Sequence, residues 1–202
     1  MKLTVDHPEA VREPSPRQRI LAAARDLFYA RGIRGVSVDE IAATARTNKM
    51  TLYRHFESKD LLIVEYLRQL AAESDAGWEQ LARAHPGDPL AQLRAWVNYL
   101  GNAMADPVNR GCALANAAVE IPEKDHPARV VIEQHKTHSR EHIAKLCQAA
   151  GFVEPEGVAD EIFLLLEGAR VNMQSVGRCG PCTRVSEMVC ALLESRPRAA
   201  QS

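Results

Sequence analysis

Apolar positions recur along this chain at spacings of three and four residues, the period of an amphipathic helix, and nowhere alternate as a half-buried strand requires. Ile20, Ala24, Leu27 and Phe28 carry the spacing behind Ser15-Pro16, where Ser suits the cap and Pro the first helical position, and Gly32 supplies a stop with positive φ. A short second helix starts at the capping box of Ser37 and Glu40, with Val38, Ile41, Ala42 and Ala45 as its apolar stripe. Arg46, Thr47 and Asn48 then form a turn, and Asn48 caps a third helix packed through Leu52, Tyr53 and Phe56. Ser58 caps a long fourth helix reaching about Ala84. Pro and Gly breakers divide the remainder into about five more helices, near 89–105, 111–120, 127–150, 156–176 and 182–195.

The expected fold is therefore all-α. A three-helix unit containing a helix-turn-helix occupies residues 15–60, and a larger helical domain occupies residues 61–195. Residues 1–14, mixing Pro and charge without periodicity, read as a disordered arm, and residues 196–202 as a frayed tail. Composition agrees: 30 Ala and 19 Leu against 10 aromatic residues favour helices over strands.

Charge divides the chain more sharply than its net value of -1 suggests. Residues 15–60 hold nine Lys or Arg against five Asp or Glu, whereas residues 71–202 hold thirteen against seventeen. A basic head on an acidic body is the asymmetry of a molecule that meets a polyanion at one end. The longest strongly apolar run covers only residues 162–166, too short to span a membrane, and the first residues carry charge where a secretory signal would be apolar. A cytoplasmic chain with no membrane partner is expected, its five Cys reduced.

Residue chemistry gives the third helix its meaning. With Leu52 and Phe56 facing inward at i and i+4, Asn48, Lys49, Thr51 and Arg54 face outward. Asn and Thr hydrogen-bond base edges, Lys and Arg reach guanine or phosphate, and Lys59 is placed for a phosphate. Each residue alone would suit an ordinary solvated face. Capping box, turn, reader set and positive charge coincide within about 45 residues, however.

Residues 16–62 resemble the DNA-binding domain of the TetR/AcrR family of transcriptional regulators. The resemblance is carried by Arg19-Ile20-Leu21, Leu27-Phe28, Gly32, Ser37-Val38-Asp39-Glu40-Ile41-Ala42, and above all Leu52-Tyr53-Arg54-His55-Phe56 followed by Ser58-Lys59. It implies a homodimer whose recognition helices enter successive major grooves of a near-palindromic double-stranded operator, and release, usually of a repressor, when a small molecule binds the larger domain. Residues 47–54 would cover the recognition helix, with Asn48, Lys49, Thr51, Tyr53 and His55 toward DNA, Tyr53 on the backbone, and Ser37 and Lys59 on phosphates. The chain departs from the family pattern at Arg46 and Met50, where many members have Gly. Arg46 in a left-handed turn costs about 1 kcal/mol relative to Gly, so the turn relaxes or Arg46 itself contacts DNA.

In the larger domain, Ile162, Leu165, Leu166 and Ala169 stripe one helix and Val185, Met188, Val189 and Leu192 the last, a pair suited to a four-helix dimer interface. An effector cavity is expected among the middle helices, lined by Trp96, Tyr99, Leu100, Met104, Cys112, Asn116 and Glu120, with Phe163, Arg170 and Met173 opposite. Small residues around Cys112 leave room for a thiol that reacts with an electrophile. No cofactor is expected, and no catalytic or metal site is assigned.

A reading from another class rests on two features. Cys179-Gly180-Pro181-Cys182 is the thioredoxin tetrapeptide, here in a loop between helices instead of after a strand. His135, His138 and His142 share one helix face at spacings that suit metal ligation. A helical thiol-redox or metal-sensing protein is the alternative, and an enzyme has no support beyond the tetrapeptide.

Overall fold

The computed structural model describes residues 13–106, 109–177 and 180–199. Among them lie nine α-helices: α1 (Pro16–Arg31), α2 (Val38–Thr44), α3 (Lys49–Phe56), α4 (Lys59–Ala84), α5 (Pro89–Ala105), α6 (Ala113–Glu120), α7 (Pro127–Ala149), α8 (Pro155–Val176) and α9 (Val185–Ser195), with a 3-10 turn at Pro181–Arg184. The described residues contain no strand, only an isolated bridge between Phe152 and Arg198.

Local chemistry accounts for the helix starts. Ser15 with Gln18 and Ser37 with Glu40 form reciprocal capping boxes, and Asn48, Ser58 and Asp88 each accept a backbone N–H from three residues on. Pro occupies the first turn of α1, α5, α7 and α8, where its missing N–H leaves no bond unmade. Gly32, at φ +82°, ends α1 by returning its N–H to the Phe28 carbonyl at 2.9 Å.

Two apolar clusters build the body. The first joins α1, α2, α3, the start of α4, α6 and the start of α7 around Ile20, Ile41, Leu52, Leu62 and Leu67. The second joins the end of α4, α5, the rest of α7, α8 and α9 around Leu93, Val97, Ile143, Ile162, Leu166 and Leu193. Only α4 and α7 serve both.

Two expectations are corrected. Residues 196–199 are not frayed: Val153 N–H bonds the Pro197 carbonyl at 3.1 Å, Ala199 N–H bonds the Gly151 carbonyl at 2.8 Å, and Arg196 pairs with Glu161. The extended tail is thus pinned over the α7–α8 loop; residues 200–202, like residues 1–12, lie outside the described residues. Second, Ile162, Leu166 and Val189, expected at a dimer interface, are almost wholly buried in the subunit's own core. Ala169 and Val185 are likewise buried, at the floor of a surface groove whose sides include Leu164, Leu165, Met188 and Leu192.

Candidate nucleic-acid interface and effector cavity

The α2–α3 unit is held from behind by Leu52 and Phe56, both buried, by Ile41 of α2 and by Ala45 just after it. That anchoring turns Lys49, Tyr53, Arg54 and His55 outward, all exposed, with Thr51 half-buried beside them. Met50 is exposed as well, at 76 %. Arg46 takes φ +51°, the left-handed turn conformation expected of it, and its side chain is exposed. Thr47 is half-buried at the turn.

Three expected readers have structural work of their own. Asn48 is exposed, but its side-chain oxygen accepts the Thr51 N–H at 2.9 Å and so caps α3. Ser37 is engaged with Glu40 in the α2 capping box. Two hydrogen bonds from Ser37 and the Arg31 guanidinium hold the Glu40 carboxyl down at about 2. Lys59 departs from expectation: its ammonium turns inward, donates to the Ile33 carbonyl at 2.7 Å and lies over the Phe28 ring. Burial pushes its pKa below the usual lysine range. It braces the loop after α1 with one of its three N–H donors.

Between the two apolar clusters lies a cavity of about 820 Å³, within the size range of small-molecule sites. Of the residues expected there, Trp96, Tyr99, Leu100, Met104, Cys112, Phe163 and Arg170 line it. Asn116, Glu120 and Met173 do not; all three line a neighbouring cleft, the first two because α6 turns that face toward α1. Asn116 there donates to the Arg110 carbonyl and accepts from Gln174, each at about 2.7 to 2.8 Å. Sequence reasoning missed Tyr29, Tyr66, Trp78, His135, Lys136 and Glu167, which reach the cavity from α1, α4, α7 and α8.

The cavity wall is charged in one place. Lys136 Nζ lies 2.5 Å from Glu167 Oε2 and 3.5 Å from Cys112 Sγ, and Arg170 Nη1 lies 2.6 Å from Glu167 Oε1. Burial raises the Glu167 pKa, but the pull of Lys136 and Arg170 outweighs it and holds the carboxyl below its ordinary value. Burial pushes the Tyr66 phenol up to about 12.

The His face does not converge. His135 faces the cavity, His138 stands 3.7 Å from Asp75, and His142 packs on the Trp78 ring. Among the described residues no three His, Cys, Asp or Glu side chains could hold a metal ion. Cys179 lies outside the described residues, Cys182 is buried, and burial pushes the Cys147 thiol up to about 12. No helix among the described residues is long and apolar enough to cross a membrane.

The cavity touches the helix-turn-helix unit through α1 and α6. Arg110 donates its backbone N–H to the Tyr29 hydroxyl at 2.6 Å, and its guanidinium bonds the Tyr29 and Ala30 carbonyls at the end of α1. Arg25 and Glu73 clasp α1 to α4 at the cavity mouth, and that hydrogen bond raises the Arg25 pKa.

Known proteins match this layout in both halves. Residues 20–66 match the family model described as bacterial regulatory proteins, tetR family, and residues 89–189 the tetracyclin repressor-like C-terminal domain. The HTH-type transcriptional regulator EthR of Mycolicibacterium smegmatis is 26 % identical over 52 % of this chain, which spans about half, 48 %, of that relative's length. The HTH-type transcriptional regulator YjdC of Escherichia coli is 23 % identical over 78 % of this chain and 82 % of its own. A TetR-family transcriptional regulator from Streptomyces coelicolor superposes with a TM-score of 0.79 at 30 % identity, covering 89 % of this chain and 92 % of that one.

Proposed function

Because this chain belongs to the TetR family of transcriptional regulators, with a helix-turn-helix DNA-binding domain and a helical C-terminal domain, we propose that it is an effector-controlled repressor that binds a near-palindromic operator as a homodimer. The observation that carries this reading is the face of α3. Lys49, Tyr53, Arg54 and His55 stand exposed on one short helix clamped from behind by Leu52 and Phe56, with Arg46 exposed in the preceding turn. A rigid cationic rod of this width fits a major groove, and one half-site of contacts gives too little affinity for an operator without a symmetry mate.

The exposed stripe on α8 supports the dimer. Leu164, Gly168 and Val171 repeat at helical spacing on its exposed face, with half-buried Leu165 and Asn172 at the edge toward the core, and Met188 and half-buried Leu192 of α9 flank it. Leu164 is 70 % exposed in the single subunit. Apolar surface of that kind calls for cover.

Release follows from the seat of the cavity. Tyr29 lines both the cavity and the cleft beside α6, so an effector that displaces it loosens the Arg110 clamp on the end of α1. Bound and free forms then favour different positions of the reading heads, a shift between two populations. The family is one of regulators rather than enzymes, and no reaction is assigned to the cavity.

Selection of bound duplexes from a random pool tests the reading. A two-fold-symmetric consensus, bound less tightly as salt rises, is the expected result. A pool left unenriched after several rounds overturns it.

A further inference from the structure

The cavity has two chemically distinct walls. One is aromatic: Tyr66, Trp78, Trp96 and Tyr99 line it, and Trp78 and Trp96, the only two Trp of the chain, stack with ring centroids 4.4 Å apart, whereas Phe163 belongs with the other, Lys136 Nζ standing 5.8 Å from its ring centroid. The other is the Lys136–Glu167–Arg170 group, whose side chains are only 20 to 24 % exposed. A single carboxylate there serves two cations.

That count leaves one positive charge unmatched in a partly desolvated place, which is unfavourable until a counter-charge arrives. The remaining charges do not supply it. Arg25 and Glu73 neutralise each other at the mouth, and Asp26 is exposed to water. His135, whose pKa burial lowers, carries no charge near neutral pH. Among the described residues Arg170 spends one guanidinium donor, Nη1, on Glu167, so most of its fork of N–H groups remains for a planar acceptor.

A second observation is independent of charge. Among the described residues the indole Nε1 of Trp78 has no hydrogen-bond partner, although the residue is only 4 % exposed and lines the cavity. Buried donors left unpaired are rare and costly, so such a group marks a place where an acceptor is missing.

We propose that the effector is an aromatic monocarboxylate of two or more rings, its rings against the Trp78–Trp96 wall and its carboxylate between Lys136 and Arg170. This rests on the reading of the cavity as the effector site. Charge selects the class: one negative charge balances the wall, a phosphate dianion would overshoot it, and a cationic drug would be repelled. A fatty chain would leave the aromatic wall without stacking partners. The volume of about 820 Å³ favours a multi-ring acid over a single ring.

Titration calorimetry of the full chain with 4-biphenylcarboxylate, 4-biphenylcarboxamide and 4-phenylbenzylamine tests the class directly. The acid is expected to bind roughly tenfold or more tightly than the isosteric amide, the worth of a charge-assisted bond over a neutral one. Lys136→Met and Arg170→Gln should each reduce that preference to about threefold or less, with folding checked by circular dichroism. The proposal is overturned if the unsubstituted protein binds acid and amide equally, prefers the amine, or binds none of the three. Operator retention measured with the same acid separates the two readings. Tight, acid-selective binding without operator release upholds the ligand class and sinks effector control, whereas release only by neutral or cationic compounds does the reverse.

Discussion

The Glu120 carboxylate accepts the backbone N–H of Arg34 at 2.9 Å and so ties the last turn of α6 to the loop between α1 and α2. Arg34 returns the contact through its guanidinium, 3.1 Å from Glu123. With the Arg110 clamp, this makes α6 and its flanks the strap between cavity and reading head. Glu120→Ala should leave operator affinity within about threefold and shrink the effector-induced loss of affinity by roughly fivefold, within the usual range of coupling energies. Operator titrations with and without effector measure both, and an unchanged ratio would show that the strap transmits nothing.

Gly32 sits under the same carboxylate. A Cβ at this position would fall 2.8 to 3.0 Å from the Glu120 carboxyl atoms, and φ is +82°, where L side chains are strained. Gly32→Ala is expected to lower stability by about 1 to 2 kcal/mol, a fall of several degrees in Tm for a chain of this size. Thermal unfolding by circular dichroism reads it, and an unchanged Tm contradicts the account of this turn.

Lys49 and Lys59 make a contrasting pair. Lys49 is exposed on α3, its only partner among the described residues Asp39 at a loose 3.4 Å, whereas Lys59 braces the Ile33 carbonyl. Lys49→Ala should weaken operator binding by about 1 to 3 kcal/mol or, if it meets a phosphate, lower the salt slope by about one. Lys59→Met should lower Tm and leave the salt slope unchanged. A reversed pattern would restore Lys59 as the phosphate contact.

Acid should destabilise the fold from below neutrality. Burial, then neighbouring Lys136 and His138, hold the pKa values of His135 and His142 below the ordinary 6.5. As pH falls through 6.5 the unfolded chain takes up protons that the folded one refuses, so stability present above 6.5 drains toward the lower folded values. Glu40 does not contribute in that range, since its stabilisation persists to about pH 4.5 and disappears only as pH falls toward 2. Tm measured from pH 7.5 to 5 should decline, and His142→Gln should flatten the decline; a level profile in the unsubstituted protein refutes it.

Leu164→Glu and Met188→Glu place charges on the exposed stripe without entering the core, since these side chains are 70 % and 44 % exposed. Light scattering after gel filtration should report monomers, with operator affinity lower by two orders of magnitude or more. Retained dimers would move the interface elsewhere.

The reading head was legible because its rules are local. The cap at Ser15 and the capping box at Ser37 act within four residues, and the i, i+4 pair of Leu52 and Phe56 decides which face of α3 points out. The body was legible in its helices but not in their faces. On α8, Ile162, Leu166 and Met173 are buried while Leu164 and Val171 are exposed, so both faces are apolar and periodicity cannot say which one a partner would cover. The cavity was half legible for a related reason. Trp96, Tyr99 and Cys112 sit near one another in sequence, but Tyr29, Trp78 and Lys136 meet them only through tertiary packing. The Trp pair was the available clue, being the only two in the chain. Lys59 misled because its aliphatic stem lets an ammonium reach inward as readily as outward.

The sharing of α4 between the two apolar clusters has a mechanical corollary. Together with α7, α4 spans the upper and lower storeys as a continuous girder, of 26 residues and about 39 Å. Pivoting that girder by about 5° around Trp78 carries its far end through roughly 2.5 Å, at 1.5 Å of rise per residue. Leverage, not bending, is what such a construction can deliver, and two heads facing a double helix would feel it as a change of span.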